Sequence, residues 1–270
     1  MRPIRALLLG FVAAIVGFVA AYAFVFRPRI KSWGVDPVES ESALAGDELI
    51  PDPMAVETRG VTIDAPVSQV WPWLVQMGFG RAGWYSFDSM DRRNKSADSI
   101  LPEFQELKPG EILPIYQGGG FEVRTVDPEK ALVLFTNTAA MEKQAEDAGL
   151  VTEEQLEEAK SRGRGPHPDF SASWAFILNP TEDGQTRLIE RFRVKTQNDM
   201  PANAVMQELM STGIVLMARK QMLGIKERAE RPQTELSNGS GEELSGAHEP
   251  QIDIPSLGDG QPAPEAEPAM

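Results

Sequence analysis

The sequence predicts an α+β fold in which a curved antiparallel sheet wraps around one long C-terminal helix, preceded by a single transmembrane helix. Three observations carry this reading. Residues 202–231 repeat apolar positions at helical spacing, residues 56–195 are mostly short β-prone runs broken by turn signals, and residues 6–26 contain no charge at all. The apolar stretch of 21 residues is long enough to cross a hydrocarbon core of about 30 Å at about 1.5 Å per residue.

Arg2 and Arg5 precede that stretch and Arg27, Arg29 and Lys31 follow it, so residues 1–31 form a membrane anchor with basic flanks. A cleaved signal peptide is the competing reading, because Ala21-Tyr22-Ala23 fits a small-x-small cleavage site; against it, the apolar run continues through Phe26 and stops at the basic cluster. The downstream cluster tips the soluble body toward the cytoplasm. Residues 32–54, rich in Asp, Glu, Pro and Ser, read as a tether and lead-in. Residues 55–231 form the folded domain, and residues 232–270 lose all periodicity and read as a disordered acidic tail.

Within the domain, residues 56–63 are β-compatible. Asp64, Ala65 and Pro66 then open a helix in which Val67, Val70, Trp71, Leu74 and Met77 share a face, and Gly78 and Gly80 end it. The irregular stretch 81–107 holds an aromatic cluster of Trp84, Tyr85, Phe87 and Phe104. Strands over 111–115, 121–126 and 131–136 follow as an antiparallel meander, turned by Pro109-Gly110 and by Asp127-Pro128. Residues 139–165 break the strand rhythm with a charged, helix-prone insertion, read as solvated and partly ordered rather than as a lid. A hairpin of 170–178 and 186–195 completes the sheet. In its second strand Thr186, Leu188, Glu190, Phe192 and Val194 form the inward row, which places Glu190 among apolar neighbours. On the final helix, Val205, Met206, Leu209, Met210, Gly213, Leu216, Met217 and Leu223 fall on one face, with the methionines along an edge suited to an exchangeable contact.

Composition excludes several functions. The net charge is −14, with +5 in residues 1–31 and −7 in residues 231–270, which leaves −12 on the body, so nucleic acid is not a partner. The absence of cysteine removes disulfides, a thiol nucleophile and thiolate metal sites, and two histidines, His167 and His248, do not support a zinc site or a Ser-His-Asp triad. No metal and no cofactor are expected. Gly118-Gly119-Gly120 lacks the Lys and Ser/Thr of a phosphate loop and serves a bend.

The element order, with Ile63-Asp64-Ala65-Pro66, Val70-Trp71-Pro72-Trp73-Leu74, Gly83-Trp84-Tyr85-Ser86-Phe87-Asp88, Ser173-Trp174-Ala175-Phe176 and Leu223-Gly224-Ile225-Lys226, resembles the START-like helix-grip superfamily. That group, also called SRPBCC, includes polyketide cyclases and lipid-transfer domains, and the likeness is greatest to its membrane-tethered bacterial branch of unassigned function. The resemblance spans about residues 55–230 and implies a deep, mostly apolar cavity between sheet and helix.

The expected function is a membrane-anchored binder or carrier of a hydrophobic small molecule such as a lipid, isoprenoid or polyketide. The expected lining is Trp84, Tyr85, Phe87, Trp174, Phe192, Met206, Met210 and Met217, each of which is otherwise core. A cyclase- or aromatase-like enzyme is the alternative, with Glu190 the first candidate for acid–base work and Asp88 and Tyr85 behind it. The bland readings are that Glu190 pairs with Arg124, Arg191 or Arg193 and that Asp88 caps a turn. A third reading makes the chain a tethered interaction module whose acidic tail or insertion recruits a basic protein.

Overall fold

The computed structural model describes residues 32–88, 95–162, 170–196 and 204–232, together with Gly17 and Ala21, and on the last helix its side chains from Thr212 onward. The expected anchor over 6–26, the tail beyond 232 and the side chains of Met206 and Met210 lie outside the described residues. Among the described residues, no helix is long and apolar enough to cross a membrane.

The elements are α1 (Pro37–Glu41), β1 (Ala55–Ile63), α2 (Val67–Gln76), β2 (Ile112–Tyr116), β3 (Gly119–Asp127), β4 (Ala131–Asn137), α3 (Thr138–Asp147), α4 (Glu153–Ser161), β5 (Ser171–Pro180), β6 (Thr186–Lys195) and α5 (Ala204–Ala229). The six strands form one antiparallel sheet in the order β1-β6-β5-β4-β3-β2. Register shifts between Pro114 and Tyr116 and between Val123 and Thr125 add local bend to its far side. The sheet curves, and α5 lies across it in the helix-grip arrangement.

The inner face is apolar at one end. Ile63, Leu132, Phe176, Leu178 and Leu188 from the sheet meet Val70, Trp73, Leu74 and Met77 from the α2 region and Met222 and Ile225 from α5, all of them buried. The face that α5 buries differs from the predicted stripe. Val215, Ala218, Met222, Ile225 and Ala229 point inward, whereas Leu216 is 53 % and Met217 44 % exposed. The predicted stripe left out Gln221 and Arg228, which are buried because their polar ends find partners: Met77 Sδ for Gln221, Ala97 O and Asp98 for Arg228.

The lead-in is also more ordered than its composition predicts. Asp36 and Glu39 form a capping box on α1, and Glu39 then accepts two hydrogen bonds of 2.7 Å from Arg187. Arg191 and Arg193 both reach Asp47, at 2.8 and 2.9 Å. These arginines form the outward row of β6, so the sequence 34–50 is fastened to the outer face of the sheet by its acids rather than left as a spacer. The hydrogen bonds from Arg187 hold the Glu39 carboxyl below its ordinary value of 4.5, against the opposing effect of burial. A depressed carboxylate contributes stability above its unfolded pKa and loses it as pH falls through the folded value. Glu39→Gln is therefore expected to lower the melting temperature by about 1–3 °C near neutrality, and the difference should vanish in melts taken toward about pH 3.

Candidate functional site

Where α5 runs toward its N-terminal half, the space between it and the sheet is not filled. A cavity of about 640 Å³, open on one side, is bounded by Trp84, Phe87 and Asp88 from the loop after α2, by Phe121, Thr136, Trp174, Glu190 and Phe192 from the sheet, and by Ile214, Met217, Ala218 and Gln221 from α5. Met141 of α3 completes the rim.

The loop is pinned from three sides. Tyr85 takes a left-handed backbone conformation, with φ 53, and its carbonyl lies against Gly224 so closely that a Cβ there would sit 2.2 Å from the oxygen. Arg228 lies 4.9 Å over the Tyr85 ring, while the ring meets Trp73 edge-on at 5.8 Å. Ser86 Oγ donates to Met217 O at 2.9 Å, tying the loop to α5. These contacts send Tyr85 into the core and leave its neighbours Trp84 and Phe87 on the cavity. Tyr85 is therefore corrected from lining to support, because its ring is 1 % exposed and its hydroxyl accepts from Gln76 Nε2 at 2.9 Å. Burial pushes its phenol above the ordinary tyrosine range, partly offset by Gln76 and Arg228.

Trp174 is the centre of the aromatic wall. It stacks on Trp84 at 5.6 Å, lies 5.8 Å from Phe121 and 5.0 Å from Phe176, and meets Phe192 edge-on at 6.4 Å. Its indole Nε1 donates to Glu190 Oε1 at 2.7 Å. The other oxygen of Glu190 accepts from Arg59 Nη1 at 3.1 Å, and Arg59 also pairs with Glu57. Glu190 is 1 % and Arg59 0 % exposed, so Glu190 forms part of the cavity floor and Arg59 lies behind it away from solvent.

That pairing corrects the partner expected for Glu190. Arg191 and Arg193 follow it in sequence and so point to the outer face, and Arg124 pairs with Glu122. The true partner comes from β1, where Arg59 is directly across from Glu190. Applied to β1, the alternation that turned Glu190 inward puts Glu57 and Arg59 in the row with Ile63, which is the signal that would have found them.

Asp88 lines the cavity and accepts from Ser96 Oγ at 2.6 Å, while Ser96 Oγ accepts the Tyr85 N–H at 2.9 Å, so it also braces its turn. Met217 and Phe87 sit at the mouth, 44 % and 42 % exposed. Thr136 was missed in the sequence. It is buried, and neither its hydroxyl nor the buried Nε of Arg59 has a hydrogen-bond partner among the described residues. Met141 was missed because its surroundings are charged, yet α3 packs on β3 and β4, and Gln144 Oε1 accepts the Gly120 N–H at 2.7 Å. The start of the insertion is thus a wall of the site.

A larger concavity of about 720 Å³ lies on the outer face between the lead-in and β1 and β6. It is polar, and its arginines are occupied by Asp47 and by the carbonyls of Ser40, Ser42 and Ile50. The inner cavity is the better candidate, since it joins an apolar wall to a few placed polar groups.

No family model and no curated protein matches the chain. Solved structures similar to it include the protein MLL2253 from Mesorhizobium loti, with 16% identity, 66% of this chain and 98% of that one covered, and a TM-score of 0.33. Others are the Aha1 dimer from Colwellia psychrerythraea, with 15% identity, coverage of 64% and 98% and a TM-score of 0.28, and Ara h 8.0201, with 10% identity, coverage of 63% and 97% and a TM-score of 0.29. Similarity at this level bears on neither ligand nor activity, and the functional argument rests on the cavity itself.

Proposed function

We propose that the protein is a membrane-anchored binder or carrier of a hydrophobic small molecule of lipid, isoprenoid or polyketide type. The observation that carries the reading is the cavity of about 640 Å³ walled by Trp84, Phe121, Trp174 and Phe192, a volume within the usual range of about 300–1,000 Å³ for small-molecule sites. Its mouth is rimmed by the half-exposed apolar side chains of Phe87, Tyr116, Ile214 and Met217. The sequence before the described domain is the uncharged run 6–26 with its basic flanks. The domain begins beside α5, where Arg219 lies 5.0 Å over the ring of Trp33. Met217 is two residues away on α5, about 3 Å in axial rise and about 200° around the helix. An anchor over 6–26 would bring the domain to the bilayer, where an apolar ligand is concentrated.

The cyclase-like alternative has less support. Glu190 has both oxygens engaged by Arg59 and Trp174, an arrangement suited to holding a charge in place, and Tyr85 is turned into the core. The acidic tail that would serve an interaction module lies outside the described residues.

The reading is tested by filling the cavity from its α5 side. Ala218 is 6 % exposed and lines the cavity, so Ala218→Phe puts a ring into the space a ligand needs. Neutral apolar compounds should raise the melting temperature of the wild-type protein, and saturation at about 100 times Kd corresponds to about 2.7 kcal/mol of added stability. Ala218→Phe is expected to abolish the shift. Equal shifts in both proteins would place the binding elsewhere and remove the cavity from the account.

A further inference from the structure

We infer that Gln221 of α5 is a specificity-determining residue: the cavity takes an apolar molecule with a hydrogen-bond donor, an O–H or N–H, at its inner end in preference to the same skeleton without one. The inference rests on the binding reading above. Ile214, Met217, Ala218 and Gln221 line the cavity at i, i+3, i+4 and i+7, so they form one strip along the helix. Ile214 and Met217 are half-exposed at the mouth, Ala218 is buried, and Gln221 is 3 % exposed. Gln221 is the inner end of the strip, about 10 Å along the axis from Ile214. Beyond it, Met222 and Ile225 belong to the closed core.

The amide is poorly partnered for so buried a group. Its Nε2 donates to Met77 Sδ at 3.6 Å, and a thioether is a weak acceptor. Among the described residues nothing donates to its Oε1. The enclosed side-chain atoms that lack a partner are Arg59 Nε, Thr136 Oγ1 and Glu142 Oε1. Gln221 Oε1 is not one of them, so it is not enclosed, and it faces the space that the residue lines. Ser86, Asp88 and Glu190, which share that wall, are already committed: Ser86 to Met217 O, Asp88 to Ser96, and Glu190 to Trp174 and Arg59.

A ligand that fills the cavity displaces water from this oxygen. One that brings a donor replaces the lost hydrogen bond, whereas one that does not leaves a buried acceptor unpaired and bears its desolvation cost. The amide is neutral, so the preference it imposes concerns the donor and not the charge of the ligand. With the donor at Gln221, the apolar remainder lies along Ala218, Met217 and Ile214 toward the opening.

The test uses the full chain in detergent and two compounds built on one saturated chain with a bromine at its middle: the primary alcohol and its methyl ether. Both are neutral, and they differ in the donor. Bromine quenches tryptophan on contact, and Trp84 and Trp174 line the site. The alcohol is expected to quench saturably and to bind about tenfold more tightly than the ether. Gln221→Met keeps the length of the side chain and removes the amide, so it should bring the two compounds within about threefold of each other. The ligand-free melting temperature of that variant should be equal to or above wild type, because a thioether replaces an oxygen that lacks a donor in the empty protein. A wild-type preference below about threefold, or one that survives Gln221→Met, would overturn the inference and leave the cavity as a binding site. A marked fall in the melting temperature of ligand-free Gln221→Met would also overturn it, since the amide would then serve the fold. Quenching by both compounds that is non-saturable, or unchanged in Ala218→Phe, would overturn the binding reading as well.

Discussion

Replacing Arg59 with Met is expected to lower the stability of the domain by about 3–5 kcal/mol, a fall in Tm on the order of 10 °C or more. Arg59 is fully buried and joins Glu57 and Glu190, whose side chains are 7 % and 2 % exposed. Met keeps the volume of the stem but leaves two carboxylates in the interior without the guanidinium that compensates them. The loss is the cost of stranding those charges, not the net worth of the group, so Arg59→Met combined with Glu190→Met should be less damaging than Arg59→Met alone. Chemical denaturation of the two variants checks both statements. A single variant as stable as wild type would mean that Glu190 and Glu57 do not depend on Arg59.

Gly224→Ala is expected to cost about 2–3 kcal/mol, although Ala is the better helix former by about 1 kcal/mol. The added methyl would sit 2.2 Å from the Tyr85 carbonyl oxygen and 2.9 Å from its Cβ, and Tyr85 is already held at positive φ by its surroundings. Either α5 moves away from the loop or the loop moves away from α5. Both displace Trp84 and Phe87, so ligand-induced stabilisation should weaken together with the melting temperature. Gly213 lies on the same helix with nothing within 4 Å of its Cβ position among the described residues, and there the identical change should stabilise the domain. Opposite signs at the two glycines would identify the close approach at Gly224 as the cause, and equal signs would remove it.

The parts of the fold that sequence revealed are those whose signal is local. The alternation of Thr186 to Lys195 gave β6 its bounds and turned Glu190 inward, and Pro66 with the glycines at 78 and 80 framed α2. The parts that it hid depend on partners distant in the chain. Residues 34–50 look like a tether until Arg187, Arg191 and Arg193 of β6 are placed beneath them. The buried face of α5 lies one step around from the predicted stripe: Val215, Ala218, Met222, Ile225 and Ala229 turn inward together with Gln221 and Arg228, whose polar ends Met77, Ala97 and Asp98 receive. Hydrophobicity alone does not say which polar groups will find partners.

The same holds for the site. The aromatic residues Trp84, Phe87, Trp174 and Phe192 stood out in the sequence and all line the cavity. Tyr85, which lies between Trp84 and Phe87 in the chain, does not, because its positive φ turns the ring toward Trp73 and Gln76. Arg59, which pairs with Glu190 at the floor, and Thr136, which lines the cavity, lie in strands whose roles appear only once β1 pairs with β6 and β4 with β5.

The most direct test of the account is the chemical composition of the purified full-length protein, read by denaturing solvent extraction and mass spectrometry beside Ala218→Phe. The account predicts close to one equivalent of an apolar small molecule in the wild type and none above background in the filled variant. Wild-type protein carrying no such molecule, together with a structure in which α5 has closed onto Trp174 and Phe192 and left no space, would contradict it.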